Sequence, residues 1–438
     1  MSFGVPAALL LCIAGGFDLD GQASLELRGG RAPITAGAPP KWGFVGVATP
    51  DVQLSYLSPR LELRVDYGLR AFWRLPNDSR QMLDPLMVGP PTTSSRLEPL
   101  LLHQVGLIAT GRATRRVRMN AEATASYGEA DYTTIATLLG PTQAALPTIP
   151  KFLNIAAGGG TQVDLSRLSV FSLTLLFTHR RPIGATETVV DVNVPNVVPF
   201  PRQTSVAATP GLSVTVSRKG ALTLGALFSY GAYSDVLLTQ KDGTTMVGDA
   251  TVLLFAPQVG WRAFLSPRSN LHVGAGANFL RLRPENPDLV PVSPVGDVTF
   301  ESSIPKQQGL ETRMLAALRM EYYFDPVTGR AGPRLVVSAS GYSAMTTAWL
   351  AGIEAGYSTV FVRPFDPNDP RALQPPDETA VYASIPIRYR ASTHLLTEFG
   401  FRWADRGPHS LSGFHQQQLW VYLLLTGTTR TSTIRKVQ

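Results

Sequence analysis

Residues Arg60 to Arg74 read RLELRVDYGLRAFWR, and their order decides the fold. The odd positions carry Leu61, Leu63, Val65, Tyr67, Leu69, Ala71 and Trp73. The even positions carry Arg60, Glu62, Arg64, Asp66, Gly68, Arg70, Phe72 and Arg74. A period of two belongs to a β-strand with one apolar face and one charged face. The run covers fifteen residues, whereas strands of soluble proteins usually have about 5–6. About 9–11 tilted residues suffice to cross a bilayer as a strand. A lipid-embedded helix would not tolerate these charges, but a strand can point them all into a lumen.

The same rhythm returns along the chain. Val117, Met119, Ala121, Ala123, Ala125 and Tyr127 oppose Arg116, Arg118, Asn120, Glu122, Thr124 and Ser126. Leu310, Met314, Ala316, Leu318, Met320 and Tyr322 oppose Glu311, Arg313, Leu315, Ala317, Arg319 and Glu321. Val381 to Tyr389 alternate with Tyr382, Ser384, Pro386, Arg388 and Arg390, and Leu395 to Trp403 with Glu398, Gly400 and Arg402. Soluble β-sandwiches also alternate, but they bury the apolar face between two sheets. These strands are too long for that, and their polar faces too charged.

Composition agrees with a barrel wall. The chain has 438 residues and a formal charge of +7. Mean hydropathy is +0.06, so lipid contact would be hidden by alternation. No run of about 18 apolar residues marks a spanning helix. The single cysteine, Cys12, forbids an intrachain disulfide. Lysines are only six of the 39 basic residues, an arginine bias that a GC-rich genome would also produce. The basic residues are spread through alternating strands and are not clustered with aromatics, which argues against nucleic acid as a partner. Val5 to Ala14 (VPAALLLCIA) resembles the apolar core of a secretory signal. Leu11 before Cys12 disfavours a lipoprotein site.

Short connectors such as Ser58-Pro59, Thr114-Arg115, Ser166 to Leu168 and Ala391 to Thr393 alternate with long, proline-rich segments. The long segments are roughly 75–99, 133–151, 183–203, 236–249, 284–307 and 363–377. Such alternation is that of an up-and-down barrel with tight periplasmic turns and longer outside loops. The expected fold is therefore all-β: a transmembrane antiparallel barrel of about sixteen strands. They are 21–33, 43–57, 60–74, 100–113, 116–132, 152–165, 169–181, 204–217, 221–235, 250–265, 269–282, 309–324, 334–346, 378–390, 394–405 and 415–428. Alternation within 347–362 would raise the count to eighteen. Residues 1–19 are expected as a leader, 20–428 as one barrel and 429–438 as a tail. Phe72, Trp73, Tyr127, Tyr132, Tyr230, Tyr233, Phe401 and Trp403 are expected toward the outside rim. Tyr56, Tyr322, Tyr323 and Phe324 are expected toward the turn side.

Over about residues 20 to 428 the chain resembles Gram-negative outer-membrane β-barrel proteins. It departs from many of them at its end, where a tail, TRTSTIRKVQ, follows the last strand around Leu419 to Leu423. Its arginine-rich strands, proline-rich loops and size are also similar to myxobacterial barrels that accompany exopolysaccharide export. The resemblance implies outer-membrane lipid and lipopolysaccharide as surroundings, and periplasmic export proteins as partners. General porins of this size often trimerise.

The lumen is the expected functional surface. Its lining should include Arg60, Glu62, Arg64, Asp66, Arg70, Arg74, Arg116, Arg118, Glu122, Arg313, Arg319, Glu321, Arg388, Arg390, Glu398 and Arg402. Eleven arginines against six acids in the inward phase, Glu311 included, would favour anions. Neighbouring Arg and Glu that simply brace the wall are the competing explanation. No cofactor or metal is expected, because none of the six histidines has ligand spacing. Catalysis is not expected either. His179 or His272 with Ser229 or Ser234 is the only combination worth testing, and no local motif supports it. Gly158-Gly159-Gly160 lacks a phosphate-loop context and should let a strand bend or approach a neighbour. No plug domain or passenger domain is evident. The expected function is a water-filled channel for polar or anionic solutes, or a polysaccharide conduit. The alternative is an adaptor barrel closed by its own loops that anchors an envelope partner.

Overall fold

The computed structural model describes residues 16–32, 41–75, 100–129, 151–183, 202–239, 245–284, 291–306, 310–324, 331–361, 378–406 and 416–429. Period-two alternation gives strands throughout. They are β1 (Gly16–Ala32), β2 (Lys41–Leu57), β3 (Leu61–Leu75), β4 (Leu100–Arg112), β5 (Val117–Gly128) and β6 (Lys151–Asp164). There follow β7 (Ser169–Ile183), β8 (Arg202–Ser217), β9 (Gly220–Thr239), β10 (Thr245–Ser266), β11 (Ser269–Arg283) and β12 (Val292–Pro305). The last are β13 (Glu311–Phe324), β14 (Ala331–Ala344), β15 (Trp349–Val360), β16 (Glu378–Arg390), β17 (Leu395–Arg406) and β18 (Gln416–Thr428).

Each strand pairs antiparallel with the next, and β18 returns to β1, from Gln22 opposite Thr428 to Arg31 opposite Leu419. The sheet of 18 strands is thus closed and has no free edge. Hydroxyls shape the tight turns at one end. Thr114 Oγ1 accepts from the Arg116 and Val117 amides, and Ser166 Oγ from those of Leu168 and Ser169. Thr346 and Ser392 repeat the device. A side-chain acceptor supplies what the reversing backbone lacks.

Closure makes the two faces of each strand unequal. The odd row of β3 is outside, with Val65 and Tyr67 exposed, and the neighbouring strands add Val105, Leu107 and Met119 to the same apolar surface. The even row is inside. Aromatic pairs rim the turn end of the outer surface: Phe17 on Tyr56, with ring centroids 5.0 Å apart, and Trp349 on Tyr389 at 4.5 Å. Amphipathic rings suit the level where lipid meets water. Trp42, Tyr127 and Tyr230 are exposed near the opposite end.

The layout differs from the sixteen-strand expectation in several places. Segment 284–307 is not one long loop, because β12 occupies Val292–Pro305. Its apolar row is interrupted by Pro294 and Gly296, which hid the alternation. Segment 347–362 contains β15, and with β12 it gives the eighteen strands that its alternation allowed. Segment 236–249 is largely strand, since β9 runs to Thr239 and β10 starts at Thr245. Adding β12 reverses the direction of β13, so Tyr322, Tyr323 and Phe324 lie at the long-connection end and not the turn end. β1 starts at Gly16, inside the segment expected as a leader. The cores of segments 75–99, 133–151, 183–203 and 363–377, together with Tyr132 and most of the tail, lie outside the described residues.

Candidate functional site: the inner wall

A charged chain crosses the inner wall from β1 to β16. Arg28 grips Glu26 with two bonds, Nε to Oε1 at 2.8 Å and Nη2 to Oε2 at 2.9 Å. Arg402 Nη1 donates to the same Glu26 at 3.3 Å, and its guanidinium lies 4.1 Å from the Tyr422 ring centroid. The Tyr422 hydroxyl donates to Glu398 Oε1 at 2.8 Å. Arg388 Nε donates to Glu398 Oε2 at 2.5 Å, and its guanidinium faces the Tyr342 ring. Glycines leave room for these groups: a Cβ on Gly400 would lie 2.8 Å from the Tyr422 hydroxyl.

Glu398 is the buried member, only 6% exposed. An acid held there needs its donors, since a buried charge without partners is costly. Glu398→Gln is expected to lower folding stability by about 2 kcal/mol. That is less than a fully buried pair would lose, because the Arg388 side chain is 38% exposed. Urea unfolding of the detergent-folded barrel measures it, in a cycle with Tyr422→Phe. Additive losses would disprove the coupling between the two side chains.

The other expected lining residues divide between strands and turns. Arg64 Nε lies 3.7 Å from Asp66 Oδ1, and Gly106 opposite makes space, since a Cβ there would lie 2.1 Å from Asp66 Oδ2. Thr110 Oγ1 donates to Glu62 at 3.5 Å. Arg313 pairs with Glu311 at 3.2 Å, and Arg334 with Glu321 through Nε at 2.9 Å. Register places Arg319 opposite Asp297, Arg70 opposite Leu102, Arg390 opposite Leu396 and Arg74 opposite Val45. Glu122 faces Gly158, and Asn120 faces Gly160, where a Cβ would lie 2.5 Å from Asn120 Oδ1. Gly158 and Gly160 of β6 thus admit the neighbouring polar side chains. Arg60 and Arg116 belong to tight turns and stand exposed at the turn-side mouth.

Several inner residues escaped the reading of the sequence. Glu26 and Arg28 alternate with Leu25 and Leu27, so the period-two test applied to β1 finds them. Asp18, Asp20, Asp51, Asp297 and Glu301 share the inner phase by register. These acids offset the arginine excess counted from a few strands, so the wall as a whole has no strong surplus of either sign. Bracing pairs recur across it.

Toward the long-connection end the inner wall becomes apolar. Val45, Val47, Phe72, Leu102, Phe152 and Trp420 form one buried cluster. Leu102 and Phe152 are 0% and 1% exposed although both project inward. Ala250, Val252, Leu280 and Leu282 form a second cluster at the same level, with Tyr233, Leu254 and Tyr322 against it.

Register separates the histidines from Ser229. His272 Nε2 lies 3.4 Å from Asp297 Oδ2, and its strand neighbour is Arg262. Ser229 faces Leu254, eight positions further along β10. His179 Nδ1 meets Thr204 Oγ1 at 2.9 Å on the opposite, outer phase from Ser229.

A closed even-numbered sheet, an apolar belt outside, aromatic rims, tight turns at one end and a charged interior define a transmembrane β-barrel of the Gram-negative outer-membrane class. The even strand number and the closure of β18 on β1 are the features that fix this. No protein-family model matches the chain, and no curated protein matches it. Solved structures do resemble it. The ferric enterobactin receptor PfeA of Pseudomonas aeruginosa, in a doubly substituted form, is 10% identical with a TM-score of 0.45, over 94% of this chain and 81% of that one. The siderophore receptor PirA of the same organism is 9% identical, with a TM-score of 0.44, over 94% and 80%. The FrpB iron transporter of Neisseria meningitidis is 9% identical, with a TM-score of 0.48, over 88% and 61%.

Proposed function

We propose that the chain is a passive outer-membrane pore for polar solutes. The observation that carries this reading is the charged and hydroxylated inner wall, which continues from the tight turns to the apolar level near the far end. Barrels of about 16–18 strands are wide enough for an aqueous channel. Planar-bilayer recording on the purified protein tests it. Discrete conductance steps that are blocked by polar solutes are expected; an insulating protein would overturn the proposal. Polysaccharide export is the narrower form of the same reading, and it predicts loss of a surface polymer on deletion of the gene. Unchanged polymer would exclude it.

One observation favours a second reading, a barrel closed at its outer end that anchors an envelope partner. Inward-facing Leu102 and Phe152 are dry, whereas apolar side chains on an open channel wall would be wet. Silent bilayers together with co-purification of a periplasmic partner would support that reading.

A further inference from the structure

Balanced charge over the whole wall does not mean balance at each level. At the turn-side mouth, β4 ends and β5 begins with two arginines face to face: Arg112 is the direct register partner of Arg118. Both are exposed and share the inward phase with Asn120 and Thr110. Cβ atoms of directly opposed residues sit about 4.5–5.5 Å apart, and like charges at that spacing repel. Several arginines elsewhere on this wall are matched with acids: Arg28 with Glu26, Arg388 with Glu398 and Arg334 with Glu321. Among the described residues this pair has no acid partner, and the turn between its strands adds Arg115 and Arg116.

A cavity of about 740 Å³ opens at the same place. Arg112, Arg118 and Arg60 line it, together with Asn120, Gln162 and Thr174. Gln162 is the register partner of Arg118 on β6. Glu62, also in the lining, faces Thr110, and Asp164 stands beside the turn opposite Arg116, its amide on the Arg116 carbonyl, outside the lining. Gly160 keeps the floor low, because any Cβ there would meet Asn120.

We propose that this pocket is an oxyanion-binding subsite at the periplasmic mouth, with Arg112 and Arg118 as the paired donors. A phosphate or carboxylate between two guanidinium groups accepts charge-assisted, bidentate bonds and removes their repulsion. The surrounding amides and hydroxyl suit a group carried on a hydroxylated solute. The inference rests on the reading of the lumen as solute-accessible, and it restores at one level the anion preference that the whole wall lacks.

Titration calorimetry on the full-length, detergent-folded protein tests it with three probes: pyrophosphate, trigalacturonate and maltotriose. Pyrophosphate or trigalacturonate is expected to bind, and an Arg112→Gln/Arg118→Gln double variant to weaken that binding at least about tenfold. Trigalacturonate binding assigns the oxyanion to a sugar acid; binding of pyrophosphate alone assigns it to a free anion. Equal binding by the double variant, equal binding of maltotriose, or no binding of either anion overturns the proposal. Without ligand, the double variant is expected to unfold at the same or a higher urea concentration, because a repulsion has been removed. A clear drop in that midpoint overturns the proposal too. Calorimetry needs no conduction, so a silent bilayer would refute the pore and leave this measurement intact.

Discussion

Val65→Arg will destabilise the folded barrel in lipid by about 2–4 kcal/mol, the cost of an arginine on the lipid face near the bilayer midplane. Val65 lies in the middle of β3, on the outer row, 42% exposed in the isolated protein. Its chain neighbours Arg64 and Asp66 are charged already, and they pair on the inner side. The substitution therefore adds no new kind of residue to the strand; it puts one on the wrong face. Thr110→Arg is the matched control. Thr110 is exposed on the inner face beside Glu62, so an arginine there has water and a partner acid. Its expected effect is within about 0.5 kcal/mol. Urea unfolding of both variants from phospholipid vesicles measures the difference. Equal stabilities would mean that the odd row of β3 does not face lipid, and the membrane assignment would fall with it.

That contrast also marks what could be read in advance. Strands such as β3, β5, β13 and β16 carry a long apolar outer row, and both their existence and their facing were legible from residue type alone. β12 was not, because Pro294 and Gly296 sit on its outer row, where bulky apolar residues would have kept the signal. Its loss carried a further error: a missing strand reverses every direction until the next missing one, so Tyr322 to Phe324 were assigned to the wrong end. Facing survives such an error because period two does not depend on direction.

The site was harder for a different reason. Phase tells that Arg388 and Glu398 point inward, but not that they meet. Contact depends on register between strands: Arg388 stands opposite Glu398, whereas Arg112 stands opposite Arg118. An unselective count of inward arginines merges these two situations. The first braces the wall, and the second leaves charge to be met by something else. The apolar inner level was also unreadable, since Phe72, Leu102 and Phe152 come from separate strands and meet only through register.

Gly128 holds that apolar level together, and Gly128→Ala is expected to prevent correct folding. Gly128 ends β5 between Leu102 of β4 and Phe152 of β6, facing both in register. With no side chain between them, Leu102 and Phe152 join the same buried cluster across the strand. Its φ is +134°, a conformation that side-chain-bearing residues rarely adopt. A Cβ there would lie 2.0 Å from the Leu101 carbonyl oxygen, which accepts the Glu129 amide at 2.7 Å. Backbone cannot yield as a flexible side chain can, so relief must come from parting β4 and β5. Strain and lost packing together make about 3–5 kcal/mol a fair expectation. Gly427→Ala serves as the control, since the nearest atom to its Cβ would be the Ala23 oxygen at 3.9 Å. The heat-modifiable fraction after refolding into detergent is the measurement. Gly427→Ala should refold like the parent chain, and Gly128→Ala should leave most of the protein in the unfolded band. Comparable yields would show that β5 ends differently, and that Leu102 and Phe152 do not meet across it.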